Sequence, residues 1–94
     1  MNTPLQTFRI RATLTNSSGL HARAAAAFVR EIKNLDVVVR VSWKENEANG
    51  HSVLDLLTLG APAGSEIEII ITGGDSQRAA SQLTALVNSR FHEA

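Results

Sequence analysis

Three segments of this chain alternate apolar and polar residues with a period of two, and the stretches between them repeat apolar residues at helical spacing. In the first, Phe8, Ile10, Ala12 and Leu14 point one way and Arg9, Arg11, Thr13 and Thr15 the other. Successive side chains of a strand take opposite faces, so Phe8 to Thr15 reads as a strand with one buried face. Val37, Val39, Val41 and Trp43 alternate with Arg40 and Ser42, and Ile67, Ile69 and Ile71 alternate within Glu66 to Thr72. Such strands build a sheet that needs cover on one face only.

Helices supply that cover. From Ala22, the residues Ala25, Phe28, Val29 and Ile32 recur three and four apart, which predicts a helix to about Asn34. Lys44 to Gly50 is polar and reads as a turn and a short edge strand, whose charges oppose edge-to-edge association. Ser52 to Leu59 reads as a short helix, with Ser52 as N-cap, Asp55 in the place of a capping-box partner and Gly60 as the stop. Pro62 and Gly64 mark a loop, and Gly73-Gly74 turns the chain without the Lys-Ser/Thr of a phosphate-binding loop. Asp75 or Ser76 caps a last helix with Ala79, Leu83, Leu86, Val87 and Phe91 on its apolar face. The order is β-α-β-β-α-β-α, an α+β open-faced sandwich with three helices on one face and one domain over residues 1–94. On the open face, Arg9 and Arg11 are expected to pair with Glu66 and Glu68 if their strands are neighbours.

Composition removes several function classes. Nine basic and nine acidic residues leave no net charge, which argues against a general affinity for nucleic acid or an anionic membrane surface. An RNA-reading sheet would need exposed aromatics and a basic face, and the chain has three Phe and one Trp. There is no cysteine, and the three His residues stand far apart, so neither a metal nor another cofactor is expected. No apolar run reaches the length of a membrane span, and no secretory leader is visible, so the expected location is cytoplasmic.

The chemistry concentrates in Gly19-Leu20-His21-Ala22-Arg23. This stretch puts an imidazole and a permanent cation where a helix begins, and a helix start offers free N–H groups and the positive end of the dipole to an anion. Residues two apart on a helix point away from one another. His21 and Arg23 therefore share a ligand only if His21 stands at the cap, which the Gly19 turn permits. A phosphoryl group on a His21 ring nitrogen would accept bonds from the first helical N–H groups and from Arg23. His51 reads as an exposed residue at a helix entry, His92 as a terminal residue and Trp43 as packing at the sheet edge.

Two motifs, Asn16-x-x-Gly19-Leu20-His21-Ala22-Arg23 and Ser52-Val53-Leu54-x-Leu56-Leu57-Thr58-Leu59-Gly60, make the chain from about Phe8 to Phe91 resemble the histidine-containing phosphocarrier (HPr) family of the bacterial phosphotransferase system. The resemblance implies a four-stranded antiparallel sheet and a monomeric carrier that is not itself an enzyme. It implies that His21 is transiently phosphorylated on Nδ1 by enzyme I and passes the group to an EIIA-type protein, with Arg23 holding it. Ser52 matches the serine modified in many members by a dedicated kinase/phosphorylase. Leu20, Ala24, Val53, Leu54 and Leu57 would form the apolar docking surface. The alternative is a regulatory interaction protein on the same fold, controlled at Ser52, with little phosphoryl flux. Ala24 stands where many members have Pro; with that motif, the pre-turn Leu14-Thr15-Asn16 and the Ser89-Arg90-Phe91 ending, the chain looks more like the nitrogen-related branch than the sugar-transport carrier.

Overall fold

The computed structural model describes residues 7–93. Strands β1 (Thr7–Thr13), β2 (Val38–Trp43), β3 (Asn46–Asn49) and β4 (Glu66–Thr72) form one sheet in the order β1-β4-β2-β3, with every pair antiparallel. Helices α1 (Ala22–Ile32), α2 (Val53–Leu59) and α3 (Ser76–Asn88) complete the β-α-β-β-α-β-α order. Fold class and element order agree with the expectation. Most bounds differ by one or two residues: the first strand stops at Thr13, α1 ends at Ile32 and β2 begins at Val38; α3 ends at Asn88, so Phe91, expected on its apolar face, lies beyond it in the turn Arg90–His92 with a left-handed backbone.

The register shows why the alternation matters. Ile10 faces Ile69, Ile69 faces Val41 and Val41 faces Ala48, so one apolar row crosses all four strands. Flanking it, Phe8, Ile71 and Val39 form a second row. α1 covers these rows with Ala24, Ala25, Phe28 and Ile32, all fully buried, and α3 adds Ala79, Leu83, Leu86 and Val87. Burying a side chain such as Phe28 or Ile32 contributes about 1.5–3 kcal/mol. On the other face Arg9 reaches Glu68 at 3.5 Å and Arg11 reaches Glu66 at 4.0 Å. Both pairs are diagonal, since Arg9 lies directly opposite Ile70 and Arg11 opposite Glu68. Exposed as they are, each is worth about 0–1 kcal/mol.

Two expected caps are built otherwise. Asp75 is the N-cap of α3, but its side chain makes no bond within the helix. Its carboxylate accepts from the Asp36 N–H at 2.7 Å instead, tying the start of α3 to the end of the α1–β2 connection. Ser52 caps α2 as expected, accepting from the Asp55 N–H at 3.1 Å. Asp55 does not close the reciprocal box: its carboxylate takes the Asn49 N–H at 3.2 Å, because β3 ends beside it.

The loop from β1 to α1 is pinned to the loop before β4. Leu14 exchanges backbone bonds with Ser65 and Gly64, and the Leu20 N–H donates to Ala61 O at 3.0 Å. Gly19 between them has φ +63, and a Cβ built on it would stand 2.5 Å from Ala61 O. Both the left-handed backbone and the close approach require glycine. We expect Gly19→Ala to cost at least about 1–2 kcal/mol, measured by urea unfolding; an unchanged midpoint would show that the two loops are not packed as described.

Candidate functional site at the start of helix α1

His21 is the N-cap of α1. Its backbone is extended (φ −90, ψ −176), its carbonyl accepts from the Ala25 N–H at 2.8 Å, and its ring Nδ1 accepts from the Arg23 N–H at 3.3 Å. Caps are usually short oxygen-bearing side chains. Here an imidazole nitrogen does that work, and the lone pair it offers the helix points at the cluster of free N–H groups.

The other ring nitrogen is also engaged. His21 Nε2 lies 2.7 Å from Oε2 of Glu93, near the far end of the chain. An ionised carboxylate only accepts, so Nε2 carries the proton; Nδ1 faces an N–H donor, so it is bare. The two partners together assign the neutral tautomer. The second Glu93 oxygen takes a bond from Asn16 Nδ2 at 3.3 Å, and that amide also donates to Gly19 O at 2.6 Å. Asn16 is buried, so one amide holds both the turn before the helix and the carboxylate behind the ring.

Glu93 is the residue of this cluster that no sequence pattern marks. Seventy-two residues separate it from His21, and no periodicity or motif links them. It arrives through a single turn over Arg90–His92, which has a 3₁₀ bonding pattern but left-handed backbone, with φ of 56, 57 and 60. None of these residues is glycine, and the left-handed region costs an L-residue about 1–2 kcal/mol. Burial of Phe91, the Ser89 hydroxyl capping the His92 N–H at 3.3 Å and the contacts of Glu93 offset that cost.

The remaining expected site residues divide. Arg23 is exposed in the first turn of α1, and the salt bridges among the described residues do not include it. Leu20 and Ala24 are buried and belong to the core, so neither side chain forms part of a docking surface. Leu20 turns inward because its N–H is tied to Ala61, and Ala24 because it begins the apolar stripe of α1. Val53 is half-buried, while Leu54 and Leu57 stand out from α2 with 72% and 38% of their surface exposed. α2 packs on α1, so this apolar outcrop sits on the element next to His21. Ser52 has its hydroxyl committed to the cap, and His51 and His92 are exposed. Trp43 lies half-buried at the end of β2 with Lys44 over its ring. Among the described residues no group of three metal-ligating side chains gathers.

Comparison with known proteins gives a consistent result. Residues 8–89 match the family model described as the PTS HPr component phosphorylation site. The chain is 36% identical over 81 residues to the phosphocarrier protein HPr of Xylella fastidiosa strain Temecula1, covering 86% of this chain and 91% of that protein. It is 34% identical over 84 residues to the phosphocarrier protein NPr of Shewanella violacea, covering 89% and 92%. The crystal structure of an HPr from Thermoanaerobacter tengcongensis superposes with a TM-score of 0.88 at 28% identity, covering 93% of this chain and 98% of that one.

The charges around Glu93 carry a consequence for stability. Partial burial pushes its carboxyl up, but the hydrogen bonds from His21 and Asn16, the charge that His21 carries once protonated in acid and the charge of Arg23 outweigh this and hold it below its ordinary value. A carboxyl depressed in the folded state stabilises the fold above its unfolded value, and that contribution is lost as pH falls through the lowered one. In an NMR titration we expect the Glu93 carboxyl carbon to titrate below the ordinary glutamate value of about 4.3, with the Asn16 side-chain amide moving in step. Titration at the ordinary value, with Asn16 silent, would mean that the tail is undocked in solution.

Proposed function

The chain belongs to the HPr phosphocarrier family, and on that premise we propose that His21 accepts a phosphoryl group on Nδ1 from enzyme I and passes it to a histidine of an EIIA-type protein. The observation that carries this reading is the state of the ring: Nδ1 has a free electron pair, lies at the start of α1 and has Arg23 two residues away. In the transfer the Nδ1 pair attacks phosphorus, the bond from phosphorus to the donor's nitrogen breaks and that pair returns to the donor. The Arg23 N–H, which Nδ1 had accepted, turns to a phosphoryl oxygen, and the guanidinium supplies a charge-assisted bond. A helix terminus adds about 0.3–1 kcal/mol to anion binding. So modest a term suits a carrier, which must release the group as readily as it accepts it.

Phosphocarriers of this family relay a group and do not turn over a substrate of their own, and the same role is assigned to this chain. Leu54, Leu57 and the edge of Val53 would form the apolar surface on which both partners dock. No helix among the described residues is long and apolar enough to cross a membrane; the reading places the carrier in the cytoplasm with its phosphoryl donor. Identity to an HPr and to an NPr is nearly equal, so it does not separate the sugar-transport branch from the nitrogen-related one. Ser52, half-buried at the cap between β3 and the docking helix, is proposed as a regulatory phosphorylation site.

The test is labelling with phosphoenolpyruvate and a bacterial enzyme I. We expect an acid-labile phosphoramidate that His21→Ala abolishes and that His51→Ala and His92→Ala leave intact. Arg23→Ala should slow transfer with little loss of stability, and Arg23→Lys should recover only part of the rate, because ammonium lacks the planar donor fork. Label on the His21→Ala protein would overturn the assignment.

Ser52 yields a separate expectation. A phosphoserine adds about −1.5 to −2 charges beside an apolar surface, and a helix start tolerates them. We expect Ser52→Asp to lower the rate of His21 phosphorylation while the melting temperature stays near that of the wild type. Equal rates would leave Ser52 as a cap alone.

A further inference from the structure

The environment of the His21 ring is polarised. On the Nδ1 side lie the free N–H groups of the helix start, that of Arg23 among them, and on the Nε2 side lies the Glu93 carboxylate at 2.7 Å. The ring is one-third exposed, so a small phosphoryl donor can reach it, whereas the Glu93 side chain is only 11% exposed and is held from behind by Asn16. We propose that Glu93 is the positioning residue that decides which nitrogen of His21 takes the phosphoryl group, by holding the Nε2 proton and closing that nitrogen to phosphate.

Three effects act in the same direction. With its proton held by the carboxylate, Nε2 has no electron pair to offer, and the pair is left on Nδ1. A phosphoryl donor, itself an anion, is repelled from the Nε2 side and drawn to the Nδ1 side. As the Nδ1–P bond forms, the ring becomes cationic, because Nε2 keeps its proton; the carboxylate then faces a positive charge and stabilises it. When the bond breaks again the pair returns to Nδ1, the ring becomes neutral and no proton has moved. Glu93 does not touch the phosphoryl group. It acts through His21, as a carboxylate that orients a histidine does in a nucleophilic triad.

This inference rests on His21 being the phosphorylated residue, and a donor that needs no partner protein separates the two. Potassium phosphoramidate transfers its phosphoryl group directly: the ring nitrogen attacks phosphorus, the bond to the amine nitrogen breaks and ammonia leaves. Products are assigned by ³¹P and ¹⁵N NMR. In the wild type we expect one product, on Nδ1 of His21. In Glu93→Ala we expect a second signal from the Nε2 adduct, and enzyme I-dependent labelling slower by about tenfold, the low end of what loss of a histidine-orienting group costs. In Glu93→Gln the amide oxygen still accepts the Nε2 proton, so the single product should persist while the enzyme I-dependent rate falls through loss of charge. A purely structural role would lower the melting temperature without moving the site of attachment. If Glu93→Ala does not fold, Glu93→Gln decides by rate at an unchanged melting temperature. Wild-type rate and a lone Nδ1 product in both variants would overturn the proposal and leave the carrier reading standing. Absence of label on His21 in the wild type would overturn both.

Discussion

The fold depends on one constraint: a sheet with a single apolar face has to be sealed by helices that cannot lie anywhere else. The row Ile10, Ile69, Val41 and Ala48, crossing all four strands, sets where Phe28 and Ile32 of α1 must land. That in turn sets where α1 can begin. Its first turn falls at the end of the loop leaving β1, against the loop that enters β4, and the left-handed Gly19 is the residue that lets the two loops touch. His21 occupies the cap because packing of the helix body leaves its start there.

The two nitrogens of His21 are held by different partners. Most caps satisfy one orphan N–H and do no more. This one also leaves a lone pair available to an electrophile, since the bond from the Arg23 N–H is long at 3.3 Å and can pass to an incoming phosphoryl oxygen. The short bond at Nε2 is the firmer of the two. A ring held firmly on one nitrogen and loosely on the other is suited to accepting a group at the loose end without rotating.

The same carboxylate would couple the proposed transfer to the order of the tail. Glu93 reaches the ring only if the left-handed turn over Arg90–His92 is made, and that turn is maintained by burial of Phe91 against the core. Anything that loosens Phe91 would release Glu93 as well. The ring at the start of α1 is thus linked to packing at the end of α3, across elements that are adjacent in space and distant in sequence. Leu54 and Leu57 stand on the other neighbour of α1, so the exposed apolar residues and the polar tail flank the ring on different elements.

Sequence by itself determined the periodic parts of this protein. Strand faces, helix faces and the turn residues Gly19 and Gly60 are local properties, set by side-chain direction and by the backbone that glycine alone adopts without strain. His21 and Arg23 were legible for the same reason, since a turn followed by an apolar helix places a cap within a residue or so. Tertiary structure decided whatever depends on a partner far along the chain. Asp75 and Asp55 have the right chemistry for local caps, but a closer donor arrives from Asp36 and from Asn49, and the carboxylates go there. Leu20 and Ala24 look like surface residues beside a motif until backbone bonding and the helix stripe turn them inward. Glu93 has no local signature at all: three non-glycine residues in left-handed conformation bring it to His21, and only the packing of the whole chain makes that turn favourable.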